Sequence, residues 1–123
     1  MPKFVVQEHY ARTHHYDFRL ERNGVFKSWV LRKPFTQSPG VRRLAIQVED
    51  HDLSFGDFEG EIPKGHYGAG KVVIWDSGDY EVTRWDPNRI SFRLYGHKLI
   101  GEFSLIRFTR AGPNRWLLIK HKE

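Results

Sequence analysis

The stretch His15-Tyr16-Asp17-Phe18-Arg19-Leu20-Glu21-Arg22-Asn23-Gly24-Val25-Phe26 decides the fold class. Tyr16, Phe18 and Leu20 alternate with His15, Asp17, Arg19 and Glu21, so one apolar face opposes one polar face. That period of two predicts a β-strand. Asn23-Gly24 follows, and both residue types tolerate the positive φ angles of a type I′ turn, which predicts a hairpin. Upstream, Phe4-Val5-Val6-Gln7-Glu8-His9 alternates in the same way, with Phe4 and Val6 on one side and Val5, Gln7 and His9 on the other. Downstream, further strands are expected at residues 26–31, 44–49, 71–75, 80–84, 90–95, 102–108 and 116–121. Their separators are turn-like: residues 34–40 and 56–70, Ser77-Gly78, Asp86-Pro87-Asn88, Tyr95-Gly96 and Ala111-Gly112-Pro113-Asn114. This spacing predicts a mainly β chain, a compact antiparallel β-barrel of short strands with little helix. Closure is preferred over an open sandwich because it removes exposed edges. One helical turn is expected, over residues 8–14.

The chain has 123 residues, enough for one domain (1–123) and no second core. Hydrophobic residues at 39% and charged residues at 28% predict a folded chain rather than a disordered one. No run approaches the ~18 apolar residues of a membrane span, so no membrane partner is expected. The first residues hold no apolar block of signal-peptide length. The absence of cysteine excludes disulfides, Cys-ligated zinc and a thiol nucleophile, and suits a cytoplasmic protein. The formal charge of +5 permits a phosphate-bearing partner without demanding one. Chemistry must therefore come from elsewhere, and seven histidines are available.

His9, His15, Asp17 and Arg19 form the most suggestive group. Residues two apart on a strand lie ~6.6 Å apart on one face, so His15, Asp17 and Arg19 project together. Two imidazoles and a carboxylate with open positions form a usual ligand set for a divalent first-row metal. Arg19 beside them offers a planar, permanently charged fork for a pair of phosphate oxygens. A polar face on an amphipathic strand is more often simply solvated. Gln7 and His9 on the polar side of the preceding strand, and Glu49-Asp50-His51 closing an apolar one, favour function here.

The runs Phe4-Val5-Val6-Gln7, His15-Tyr16-Asp17-Phe18-Arg19-Leu20-Glu21, Ser28-Trp29, Arg43-Leu44-Ala45, Val48-Glu49-Asp50-His51, Phe58-Glu59-Gly60, Ile62-Pro63 and Tyr67-Gly68-Ala69-Gly70 occur in this order. Together they resemble the 3′-phosphoesterase domain of bacterial DNA ligase D and its stand-alone archaeal relatives, from about Phe4 to Lys120. The resemblance implies a compact β-barrel enzyme acting at the 3′ end of a DNA or RNA primer strand. Such enzymes remove a 3′-terminal ribonucleoside to leave a 3′-phosphate, then remove that phosphate, and prefer manganese (Mn2+). By motif, the metal ligands would be His9, His15 and Asp17. Arg19 and His51 would hold the scissile phosphate, with His51 protonated and able to protonate the leaving oxygen. Gln7, Glu49, Lys33 and Arg43 would assist, chiefly in phosphate removal. The resemblance also implies a nucleoid-associated protein, a monomer by default, working beside a separate DNA ligase or polymerase.

Two positions depart from the family pattern. Many bacterial members have a functional tyrosine four residues after the histidine matching His51, and here it is Phe55. Bacterial domains also carry a charged N-terminal extension, so this sequence matches a minimal version with a different balance of the two steps. Tyr16 and Tyr67 are the candidates for replacing the missing phenol.

Gly65-His66-Tyr67-Gly68-Ala69-Gly70 lacks the Gly-Lys-Ser/Thr ending of a P-loop and reads as a tight turn. His14 is expected to face away from His15, and His97 and His121 to be exposed. Trp29, Trp75, Trp85 and Trp116 are expected in core or rim packing rather than stacked on bases. Arg32, Lys33, Arg42 and Arg43 flank the 34–40 loop, where they could guide a nucleic-acid backbone. Two other readings remain open. A non-enzymatic barrel could bind single-stranded nucleic acid through aromatics and charge. A facial-triad metal oxygenase would use His15, Asp17 and His51 as ligands and leave His9 idle.

Overall fold

A computed structural model describes residues 1–123. The alternating segments form nine strands: β1 (Lys3–Tyr10), β2 (His14–Arg22), β3 (Val25–Leu31), β4 (Arg42–His51), β5 (Gly60–Ile62), β6 (Gly70–Asp86), β7 (Arg89–Tyr95), β8 (Ile100–Arg107) and β9 (Arg115–Lys120). They pair antiparallel in the order β1-β2-β3-β4-β9-β8-β7-β6, and β6 returns to β1 to close an eight-stranded barrel. β5 pairs with the start of β6. The β2–β3 hairpin turns at Asn23 and Gly24, both at positive φ as expected.

The apolar stripes of the strands meet inside the barrel. Phe4 and Val6 of β1, Tyr16, Phe18 and Leu20 of β2, and Trp29 and Leu31 of β3 join an 18-residue core. Phe18 lies at its middle, packed against Phe35, Trp29 and Phe92. Fully burying each such side chain contributes roughly 1.5–3 kcal/mol, offset by the entropy of ordering the chain. Trp29 and Trp116 are core and Trp75 and Trp85 pack against it, as the sequence predicts.

Three expectations are corrected. Residues 8–14 form no helical turn: β1 runs to Tyr10 and Tyr10 pairs with His14, so the chain reverses through a bend at Ala11-Arg12-Thr13. The helical segments are instead two 3₁₀ turns, η1 (Leu53–Asp57) and η2 (Thr109–Ala111). Ser77-Gly78 is not a turn. The two strands expected on either side are one 17-residue strand, β6, whose first half pairs with β1 and second half with β7. Gly78 allows this crossing because a Cβ there would collide with the Tyr95 carbonyl. Lastly, His121 is half-buried rather than exposed, bonded through Nε2 to Ser104 Oγ at 2.6 Å.

Candidate metal centre and phosphate site

Register assembles the site. Across β1 and β2, His9 opposes His15, Gln7 opposes Asp17 and Val5 opposes Arg19; across β2 and β3, Arg19 opposes Ser28. Opposed residues in antiparallel strands share a face, so these polar side chains line the outside of the barrel, behind the apolar core face. They are not solvated. Residues 51–70 fold back over them, and Gln7 is 0% exposed, Arg19 3% and Asp17 8%. The polar face is a second, polar interior.

His9 Nε2 donates to the Gly68 carbonyl at 2.7 Å, and His15 Nδ1 donates to the Thr13 carbonyl at 2.9 Å. Carbonyls only accept, so each bonded nitrogen carries the proton and each neutral ring keeps its lone pair on the other nitrogen. Those nitrogens, His9 Nδ1 and His15 Nε2, both lie 3.4 Å from Asp17 Oδ2. The ligand atoms of His9, His15 and Asp17 fall within 4.8 Å of one another. Backbone carbonyls that fix the tautomer of a histidine are the usual outer shell of a metal ligand. The donor set, two imidazole lone pairs and a carboxylate, therefore fits a divalent transition ion. The Asp17 hydrogen bond raises the pKa of His15 against the effect of burial, so a proton and a cation would compete for the same nitrogen.

Arg19 is tied at two points. Its Nε donates to Gln7 Oε1 at 2.7 Å and its Nη1 to Ser28 Oγ at 2.8 Å, while Nη2 stands 3.9 Å from Asp17 without a hydrogen bond. Gln7 is fully committed, since its amide also donates to the Phe55 and Phe58 carbonyls at 2.8 and 3.1 Å. It therefore aims Arg19 and anchors η1. Burial opposes ionisation of Asp17, but His15, Arg19 and His9 outweigh it and hold the carboxyl below the usual range. Burial lowers the Arg19 pKa, and Asp17 partly restores it; the guanidinium stays charged at any working pH.

His51 reaches this face through a β-bulge. Phe26 opposes His51 and Ser28 opposes Val48, so β4 spends one residue more than β3 between the two pairs. The extra residue turns the His51 side chain to the face of Arg19 and Asp17, which is how bulges commonly re-aim side chains beside sites. Burial and then Arg19 lower its pKa, which favours the neutral imidazole while no phosphate is bound. The Phe55 ring sits 5.0 Å from His51 and 4.9 Å beneath the Arg19 guanidinium. The departure from the family tyrosine thus falls inside the cluster. Of the two candidates for the missing phenol, Tyr67 is fully exposed next to Gly68, and the Tyr16 hydroxyl is bonded to Glu8.

Of the other expected residues, Glu49 is near enough for its charge to act on His51, and neither Lys33 nor Arg43 bonds to this group. Glu49 lies exposed on the bulge and Lys33 exposed after β3, neither with a hydrogen bond or ion pair. Arg43 donates through Nε to the Pro34 carbonyl at 2.9 Å. His14 points away, bonded to Glu8 and stacked on Tyr10, and His97 is exposed. Sequence reasoning missed three contributors: Gly68, Thr13 and Ser28. The 65–70 segment is a turn as expected, and it also delivers the carbonyl that orients His9. Gly68 adopts φ +75, which favours glycine and aims that carbonyl at the ring. Backbone acceptors carry no side-chain signature, so only the Gly-rich spacing could have hinted at this one.

Comparison with known proteins agrees with this arrangement. The family model of the DNA ligase D 3′-phosphoesterase domain matches residues 7–107. The multifunctional non-homologous end joining protein LigD of Mycobacterium bovis is 48% identical over 124 residues, covering 98% of this chain and 16% of that protein. The LigD proteins of Pseudomonas aeruginosa and Mycolicibacterium smegmatis are 46% and 42% identical, again over 98% of this chain and 15% and 17% of theirs. The chain thus spans about one sixth of the length of these relatives. Outward-facing His9, His15, Asp17 and Arg19 on a closed barrel, together with these matches, make the chain a member of the DNA ligase D 3′-phosphoesterase domain family.

Proposed function

We propose that this chain is a metal-dependent phosphoesterase that trims the 3′ ends of nucleic-acid strands during DNA end joining. On this reading it first removes a 3′-terminal ribonucleoside to leave a 3′-phosphate, then removes the phosphate to leave a 3′-hydroxyl. One observation carries the reading: two tautomer-fixed imidazoles converge on a buried carboxylate beside an arginine with an unpaired Nη2 edge. His9, His15 and Asp17 would hold the cation, for which Mn2+ is our first choice. Such an ion supplies Lewis acidity toward a phosphate oxygen and lowers the pKa of a bound water.

The chain's own residues do the rest. Arg19 Nη2 donates to the phosphate, and its charge offsets what develops on the equatorial oxygens. Gln7 and Ser28 hold that guanidinium in place, so less ordering remains to be done when substrate arrives. His51, whose pKa burial and Arg19 lower in the free protein, takes a proton from solvent as the substrate's anionic phosphate binds and delivers it to the departing oxygen. Lys33 and Arg43 are assigned to the substrate phosphate and Glu49 to assisting the catalytic group beside His51, with effects mainly on the second step. Phe55 gives neither hydrogen bond nor proton, so the two steps differ in balance from tyrosine-bearing relatives. The substrate is a primer–template bearing a 3′-ribonucleotide or 3′-phosphate, and a DNA ligase or polymerase acts on the product. We place the protein in the cytoplasm with the nucleoid, as a monomer; no helix is long and apolar enough to cross a membrane.

The oxygenase alternative needs His51 as a ligand, and the group that could hold a metal contains His9 instead. The test is a labelled primer–template ending in one ribonucleotide, incubated with the protein with and without Mn2+. Conversion to a 3′-phosphate and then a 3′-hydroxyl end is expected only with the metal. An unaltered primer under metal-loaded conditions overturns the proposal.

A further inference from the structure

The barrel carries an open depression at the end where β3 begins. Lys27, Gln47, Trp85, Asp86, Pro87, Ile90, Arg107 and Trp116 line a cavity of about 340 Å3 there. Its volume falls within the ~300–1,000 Å3 range of small-molecule pockets, and barrel mouths are a common place for them. The floor is Trp116, 4% exposed, and a wall is the half-buried Trp85. Both indoles are already paired with cations: the Arg22 guanidinium lies 4.2 Å over Trp85 and that of Arg107 lies 5.7 Å from Trp116.

Three features point to one kind of occupant. The wall is pre-ordered, because Asp86 accepts from the backbone amides of Asn88 and Arg89 at 2.9 Å and from Arg84 Nε at 2.7 Å. That engagement also spends the acidic charge of the rim, while Arg107 forms no ion pair and only a 3.5 Å contact to the Pro87 carbonyl. Inside, Gln47 Oε1 accepts from Trp116 Nε1 at 3.0 Å, which fixes the amide orientation and leaves its NH2 without a partner in the chain. Flat apolar walls, an amide donor and a free cation at the lip match the face, edge and phosphate of a nucleotide.

We infer that this mouth holds an unpaired nucleotide of the strand whose 3′ end occupies the His51–Arg19 site. The inference rests on the function proposed above and adds a second contact to it. The link between the two places is short: Lys27 at the lip pairs with Asp50 at 2.8 Å, and His51 follows Asp50 and opposes Phe26. A strand leaving the phosphate site over the bulge therefore meets the lip next. The base stacks on the side of Trp85 that lines the cavity, away from Arg22, while Gln47 donates to a carbonyl on its edge and Arg107 takes the phosphate.

The experiment separates this claim from the one it rests on. A short oligothymidylate with a 3′-hydroxyl, which is not a substrate for either step, is titrated by fluorescence anisotropy with wild-type protein and three variants. Trp85→Ala and Arg107→Gln should weaken binding about tenfold, the size of a lost base stack or phosphate contact. Lys98→Gln removes the same charge at the opposite end of the barrel, where Lys98 covers Trp75, and should leave the affinity within about twofold. Arg107 is exposed, so its variant folds even if Trp85→Ala does not. Equal weakening in Arg107→Gln and Lys98→Gln, or wild-type binding in Trp85→Ala and Arg107→Gln alike, overturns the inference even if the protein trims 3′ ends. Selective weakening without any cleavage of a ribonucleotide primer upholds the pocket and overturns the trimming reaction instead.

Discussion

Two polar clusters are buried on the outer surface of this barrel, on opposite sides of it. On β1–β3, Gln7, His9, His15, Asp17, Arg19 and Ser28 lie under residues 51–70. On β7–β9, Arg89 Nε reaches Ser91 Oγ at 3.3 Å, Ser91 meets Ser104 at 2.7 Å, and Ser104 meets His121 Nε2 at 2.6 Å. The second cluster is a linear relay in which each hydroxyl has a partner on either side. The first is not closed: two nitrogens with lone pairs face a carboxylate, and an arginine edge has no acceptor. Burial and hydrogen bonding occur in both, and unfinished valence in only one. The one fully buried side-chain atom without a partner is Trp29 Nε1 in the core, so the open nitrogens and the Arg19 edge of the first cluster remain reachable by a ligand, and that marks the candidate site.

The comparison can be broken most directly at Asp17. Asp17→Ala should abolish both 3′-end reactions, by ~10³-fold or more, and release bound Mn2+, while the protein stays folded by circular dichroism. Retained activity would remove the metal reading altogether. Next is Arg19→Lys, expected to cost roughly 10²–10³-fold in rate, because an ammonium cannot hold Gln7 and Ser28 and still present an edge to phosphate. A wild-type rate there would mean that charge alone suffices.

A smaller effect is expected from His51 and pH. Its folded pKa lies below the unfolded value, so the unfolded chain binds more protons near pH 6. The stability His51 contributes is present above about pH 6.5 and is lost as pH falls through the folded pKa. His51→Gln should flatten that acid slope in urea titrations, and an unchanged slope would assign it elsewhere. The control is Ser104→Ala in the closed cluster. It should lower stability by about 1–3 kcal/mol, with Ser91 and His121 each losing a partner, and leave the 3′-end reactions unaltered. A fall in activity at constant stability would erase the contrast.

Much of the site was legible because strand periodicity is local. His15, Asp17 and Arg19 on one face, with Gln7 and His9 on the neighbouring strand, need only the alternation of two adjacent segments and the hairpin between them. His51 was legible as part of a charged strand end, and its role only by resemblance. Its arrival depends on a bulge just before it in β4, and a bulge is a one-residue mismatch with the neighbouring strand that neither strand announces. The same limit hid the continuity of β6: Ser77-Gly78 has turn composition, but whether a glycine ends a strand or lets it pass a neighbouring carbonyl depends on that neighbour.

The sequence alone therefore determined the class of fold and the apolar face of each strand, because both follow from residue type and a period of two, and it offered His9, His15 and Asp17 as candidate ligands. The tertiary structure decided what the polar face is. Solvated surface and polar cavity have the same alternation, and only the return of residues 51–70 across β1–β3 excludes water from it. It also decided the tautomers, which the Gly68 and Thr13 carbonyls fix, and the lowering of the His51 pKa by burial and Arg19. Those effects depend on distance and exclusion of solvent, quantities that exist only after the barrel has closed.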